Sequence, residues 1–172
     1  LMLDRLTAEA GEQVPDFRLI MRQLAAGVSV VTASTDSDRS GFTATSVISL
    51  SVEPPRLLVS IDQRSSTLEL IRRSGAFSVA FLASDQQPIA ETFAGRSGLE
   101  GARRFQSGNW RSMFPTGHAL EGALANMGCV VEELIERHDH VLTIGRVAWS
   151  DARSGRPLVH WNRTFGHVNA LE

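Results

Sequence analysis

The sequence predicts a mainly β chain of the antiparallel barrel class with short helices inserted. Two observations carry this expectation. Six or seven runs have strand patterning, and hairpin-like links rather than long helical crossovers join most of them.

Residues 1–14 interrupt their apolar positions with Asp4, Arg5, Glu9 and Glu12 and read as a flexible N-terminal arm. A single domain spans 15–172, with no repeat or linker. From Asp16, a candidate cap, Phe17, Ile20, Met21 and Leu24 recur at helical spacing, and Gly27 is placed to end that helix. The β-branched run Val28 to Thr35 predicts a strand, the polar DSDRSG a hairpin loop of roughly four to six residues, and Phe42 the start of a second strand. Pro54-Pro55 reverses the chain before an extended run from Leu57 to Ile61. Thr67 to Arg73 has helical spacing, Ala76 to Leu82 alternates, and Asp85 to Phe93 reads as another short helix. Residues 94–118, rich in Gly, Arg, Ser and Pro, form a long loop of the kind that is functional or mobile. Strands follow at Ala123 to Ile135, Val141 to Trp149, Leu158 to Trp161 and Thr164 to Val168.

All 17 basic residues are arginine, and neither Lys nor Tyr occurs. Lysine Schiff-base chemistry, a phosphate-loop lysine and a Tyr-Lys proton relay are thereby excluded. A net charge of -2 with scattered arginines gives no basic face for nucleic acid. No apolar run reaches the roughly 18 residues of a membrane span, and no secretory leader is legible, so a cytoplasmic setting is expected. Cys129 is the single cysteine, which leaves no internal disulfide, and it lies in an apolar stretch that suits a buried thiol.

The segment from Gly41 to Pro55 is the most informative. It carries five hydroxyls, Thr43, Thr45, Ser46, Ser49 and Ser51, more than a core strand needs. Hydroxyls with backbone N–H groups can hold a phosphate, a ribityl chain or a ring carbonyl without lysine. An edge strand facing water explains them equally well.

The run GFTATSVISLSVEPP, preceded by FRLIMRQLAAGVSVVTA and followed by RLLVSIDQRSST and GAFSVAFL, resembles the flavin reductase-like family with its FMN-binding split-barrel fold. FAGRSG, ARRF, HALEGALANMGCVVEE, HDHVLTIGRV and PLVHWNRTFGHV continue the resemblance in order, from about Phe17 to Val168. It implies a homodimer that binds FAD or FMN, takes hydride from NADH or NADPH, and supplies reduced flavin to a separate flavin-dependent monooxygenase. By position, the resemblance assigns flavin contacts to Gly41, Phe42, Thr43, Thr45 and Ser46, to Ser60, Ile61 and Asp62, to Thr92 and Phe93, and a phosphate turn to Ser66 and Thr67. His140 falls at the family's catalytic-site histidine, with His160, Trp161 and Arg163 beside the pyridine nucleotide. Two positions depart from the family pattern: His138 replaces a glycine before Asp139-His140, and Ala80 replaces an asparagine.

Other chemistries find less support. His138, Asp139 and His140 lack further ligands at a metal-site spacing, so no metal is expected. No Gly-x-Ser-x-Gly elbow occurs, and Gly95, Gly98 and Gly101 do not form a dinucleotide fingerprint. A flavin-binding or electron-transfer module without turnover remains the alternative on the same barrel.

Overall fold

The structure, a computed structural model, describes residues 16–169. The expected arm at 1–14 lies outside them. The first helix, α1 (Phe17–Met21), is capped by Asp16, whose side chain accepts from the Arg18 N–H, and closes at Arg22. It ends well before Gly27, which instead belongs to the two-residue strand β1 (Ala26–Gly27). Tertiary pairing decides this: Ala26 and Gly27 join the hairpin of β11 (Leu158–Trp161) and β12 (Thr164–His167) in a three-stranded sheet.

A seven-stranded antiparallel sheet makes up the body. In chain order it contains β2 (Ser29–Ser34), β3 (Arg39–Ala44), β4 (Val47–Ser51), β5 (Arg56–Asp62), β6 (Ala76–Phe81), β9 (Ala125–Arg137) and β10 (His140–Ala152). Its spatial order is β3-β2-β6-β9-β10-β5-β4. The edge strands β3 and β4 are consecutive in the chain, so the sheet curls without closing into a continuous ladder. The single strand expected from Phe42 onward is therefore two, broken at Thr45-Ser46, where the chain passes from one edge of the sheet to the other.

Helix α2 (Ser66–Ser74) is capped by Ser65, whose Oγ accepts from the Thr67 N–H, and ends on Gly75 at φ 69°, a left-handed position suited to glycine. Its Leu68, Leu70 and Ile71 pack with Val31, Val59, Ile61, Phe77, Val79, Cys129 and Val141 in one core. A second core lies on the other face of β2 and β6, where Val28, Val30, Ala80 and Leu82 meet Phe93 of α3 (Gln87–Phe93), Phe105 and Leu120. Burial on both faces explains why the Val28 to Thr35 run lacks alternation.

The segment at 94–118 is not one open loop. It holds a 3-10 helix, Gly101–Gln106, and strand β7 (Trp110–Ser112), which pairs with β8 (His118–Leu120). Phe93, Phe105 and Trp110 pack pairwise with ring centroids 5.2 to 5.3 Å apart, which supplies the order that Gly and Ser alone would not. No helix among the described residues is long and apolar enough to cross a membrane.

Candidate functional site

The break at Thr45-Ser46 is the centre of the site. Thr45 lines two adjoining hollows, which also share Leu24, Ala26 and Ile48. One, of about 430 Å³, is walled by Gly27, Val28, Val47, Phe81, Leu82 and Leu158. The other, of about 580 Å³, adds Ser46, His160, Asn162, Arg163, Arg18 and Arg22. An apolar slot beside a cationic cleft, with hydroxyls at the seam, is the donor set that a flat ring system bearing phosphate needs, and the size is that of ordinary ligand sites. The residues present therefore fit a flavin and a pyridine dinucleotide.

Ser46 Oγ donates to the Ser60 carbonyl at 2.9 Å, which joins the β3–β4 break to β5. Two residues along β5, Asp62 stands opposite His140 across the ladder. Two residues of strand span about 7 Å, so Ser46, Ser60, Asp62 and His140 form one continuous row. His140 Nδ1 lies 2.9 Å from Asp139 Oδ1, and hydrogen bonding to His140 lowers the Asp139 pKa. Asp62 is held by the Arg64 guanidinium and N–H, which keep its carboxyl far below the usual carboxylate range. The turn residue His138 takes φ 51°, so the backbone keeps the left-handed turn that a glycine would give despite the side chain, at a cost of about 1 kcal/mol.

Other expected contacts are engaged elsewhere. The Ile61 side chain is 1% exposed in the barrel core, and Phe93 is 1% exposed within the aromatic cluster. Thr43 Oγ1 donates to the Ala90 carbonyl at 2.6 Å, and Thr92 Oγ1 to that of Pro88. Gly41 is required for close approach: a Cβ there would sit 2.8 Å from the Phe93 ring and 2.9 Å from the Val31 carbonyl. Phe42 is half-buried against the first core. Thr67 is 1% exposed, and its Oγ1 meets Ser40 Oγ at 3.0 Å, while Ser66, at the surface, meets the same Ser40 oxygen at 2.9 Å. Trp161 is 47% exposed at the end of β11, and the His160 ring lies edge-on to Phe165. Ala80 is buried in the second core opposite Asn126, whose amide bonds Leu120 and Asp151 rather than the groove.

Arg104, within the ARRF motif, carries no role in the sequence pattern, yet it holds the fold together beside the site. Its guanidinium donates to the carbonyls of Leu99 at 3.1 Å, Gly41 at 3.0 Å and Phe93 at 3.4 Å, fastening the segment after α3 to β3. No local pattern marks such a clamp. Arg18 and Arg22 carry no role in the sequence pattern either, although their spacing puts both on one side of α1.

The chain matches the family model of the flavin reductase like domain over residues 21–169. It is 35% identical to an NADH-dependent flavin reductase of a Rhodococcus species, with 96% of each chain covered. It is 32% identical to the reductase component of 4-hydroxyphenylacetate 3-monooxygenase of Thermus thermophilus, covering 87% of this chain and 93% of that one. Among solved structures, the styrene monooxygenase flavin reductase of Pseudomonas putida superposes with a TM-score of 0.79 at 28% identity, over 91% of this chain and 99% of that one. The flavin reductase component of a bacterial two-component tryptophan halogenase superposes with a TM-score of 0.82 at 29% identity, over 90% and 98%. With its split, curled sheet and its groove at the β3–β4 break, this chain belongs to the flavin reductase like domain family.

Proposed function

We propose that this protein is an NADH-dependent flavin reductase that reduces FMN or FAD and releases the reduced flavin to a separate monooxygenase. The observation that carries the reading is the groove in which Thr45 joins an apolar slot to an arginine-lined cleft. The relatives' names support it, since they include an NADH-dependent flavin reductase and monooxygenase reductase components.

Bound flavin supplies the two-electron acceptor for the hydride of the nicotinamide. The protein's task is placement, which converts an encounter of two large molecules into a near-attack arrangement. Thr45, exposed, and Ser46, whose hydrogen is committed to Ser60, offer a donor and an acceptor at the seam. Val47, Ile48 and Phe81 give the slot apolar walls. His160, Trp161 and Arg163 take the dinucleotide. His140, its Nδ1 paired with Asp139, leaves Nε2 to meet the carboxamide of the nicotinamide. Ile61, Phe93 and Thr67 are buried in the fold, Thr43 and Thr92 are bonded to backbone carbonyls, and Ser66 is the member of the phosphate turn with a hydroxyl at the surface.

The chain functions as a homodimer in this reading. Phe17, Leu19, Ile20, Met21 and Leu24 of the α1 segment and Ile48, Leu50 and Val52 of the β4 edge are all at least 44% exposed, an apolar face that a second copy would cover. A cytoplasmic setting follows from dependence on NADH and fits a lone thiol, which burial pushes up to about 12 and so keeps inert.

Following NADH absorbance with excess FMN or FAD tests the reading. Catalytic consumption is expected; consumption limited to one equivalent of bound flavin would assign a flavin-binding module instead. In His140→Ala, a raised KM for NADH is expected, and unchanged kcat and KM would remove His140 from the site.

A further inference from the structure

A polar hollow of about 310 Å³ opens between the turn of the β2–β3 hairpin and the β7–β8 ladder, and it shares no residue with the two hollows of the groove. Its walls include Asp36, Asp38 and Arg39 from the hairpin and His118 from the ladder. His118 is 8% exposed and firmly placed: its backbone N–H donates to Thr32 Oγ1 at 3.2 Å and to Ser78 Oγ at 2.9 Å, and its ring packs against Phe105 with centroids 4.8 Å apart. Its Nδ1 is nevertheless buried with no hydrogen-bond partner among the described residues. Unpaired buried N–H groups are rarer than unpaired acceptors, so the hydrogen belongs on Nε2, and the other edge of the ring is a donor. Burial, and then the Arg39 charge, lower the pKa of the ring from 6.5 to about 4, so it is uncharged at neutral pH. A fixed polar ring without a partner at the wall of a hollow points to a group that the fold itself does not supply.

Arg39 is also unengaged. It is half-buried with its guanidinium carbon 4.6 Å from the Phe105 ring centroid, and among the described residues the guanidinium makes neither a hydrogen bond nor a salt bridge. Ser34 Oγ, in the same wall, accepts from the Gly117 N–H at 3.1 Å and keeps its own hydrogen to give. The carboxylates stand farther out. Asp36 and Asp38 are exposed; Asp38 accepts the Arg39 N–H at 2.7 Å, and Asp36 has no partner among the described residues. The hollow is thus layered, with donors and the guanidinium inside and two negative groups at the rim. A simple anion seated on Arg39 would be opposed by the rim, and a simple cation at the rim would leave the inner donors unmet. A molecule carrying both signs satisfies both layers, and the volume, at the small end of ligand sites, admits one of modest size.

We propose that this hollow binds a small zwitterion of the α-amino-acid type, with its carboxylate on Arg39, Ser34 and His118 and its ammonium group on Asp36 and Asp38. The binding is independent of the reductase reading, because no residue of the groove takes part in it.

The test is calorimetric titration with L-serine, and with acetate and methylammonium as its two charged halves, while NMR follows the imidazole protons of His118, assigned by their absence in His118→Asn. L-Serine is expected to bind about tenfold more tightly than either half, the effect of one further charge-assisted contact, and to shift the His118 signals. Arg39→Gln and Asp36→Asn should each weaken L-serine roughly tenfold while the kinetics of NADH oxidation stay at the wild-type values. Asp36 is exposed and unbonded, so its variant reads the site even if Arg39→Gln fails to fold. Acetate binding as tightly as L-serine would make the hollow a plain anion site, methylammonium doing so would make it a plain cation site, and either result overturns the proposal. Unchanged L-serine affinity in Asp36→Asn, His118 signals that do not move at saturation, or no binding by any of the three probes would leave the hollow to water and overturn it as well.

Discussion

Two regions of the molecule present themselves as anion sites, and they differ in what they have left to offer. At the start of α2, Ser40 bonds both Ser66 and Thr67, Ser65 caps the Thr67 N–H, and the Ser65 carbonyl takes the N–H groups of Leu68 and Glu69. Most donors there are already engaged. The cleft between α1 and the β11–β12 turn is lined by Arg18, Arg22 and Arg163, with no carboxylate among its lining residues. The first region is a joint of the fold with one surface hydroxyl, and the second is a charged concavity. A residue type suited to anions is therefore weaker evidence of a site than the donors that remain after the fold has used its share.

Gly41→Val should give the largest effect on this contrast. Its Cβ would strike Phe93, Thr32 and the Val31 carbonyl at 2.8 to 2.9 Å beside Ser40. A loss of about 3 kcal/mol in urea unfolding is expected from overpacking. Normal stability with weakened flavin binding would make Gly41 a cradle residue instead of a packing one.

Acid should separate the regions next. His118 is buried near Arg39, the residue before Ser40, and burial followed by the Arg39 charge lowers its pKa from 6.5 to about 4. The unfolded chain binds the proton more readily, so the stability from this group is present above pH 6.5 and is lost as pH falls toward 4. In His118→Asn this segment of the stability-against-pH curve should flatten. Dinucleotide binding in the arginine-lined cleft should respond to salt.

Thr67→Val is the next smaller probe. Removing a buried, bonded hydroxyl should cost about 1 kcal/mol and leave FMN affinity within about twofold. A large loss of FMN relative to riboflavin, with stability retained, would make the α2 start the phosphate seat and reverse the comparison. Arg64→Ala should do least, since its pair with Asp62 has an Arg64 side chain 90% exposed; an unchanged midpoint is expected in the same unfolding assay.

Much of the fold was legible because its signals are local. The Val28 to Thr35 run, the helix read from Thr67 to Arg73, the Pro54-Pro55 reversal and the paired strands around His138-Asp139 lie within a few residues of their places. The break at Thr45-Ser46 was not, because a β-patterned run looks the same whether it stays in one ladder or changes edges. The segment at 94–118 looked open because its order comes from Phe93, Phe105 and Trp110 meeting across the second core.

By itself, the sequence determined a mainly β chain, the order of its elements, the absence of lysine and tyrosine chemistry, and a motif series that led to the family. Only the tertiary structure decided which of the expected contacts were available. It buried Thr67, Ile61 and Phe93, left Thr45 and Ser66 at the surface, recruited Arg104 to three carbonyls, and set Arg22 beside Arg163. The reason is physical: periodicity and residue chemistry are written along the chain, whereas the saturation of a hydrogen-bonding group and the balance of a charge depend on partners that only folding brings near.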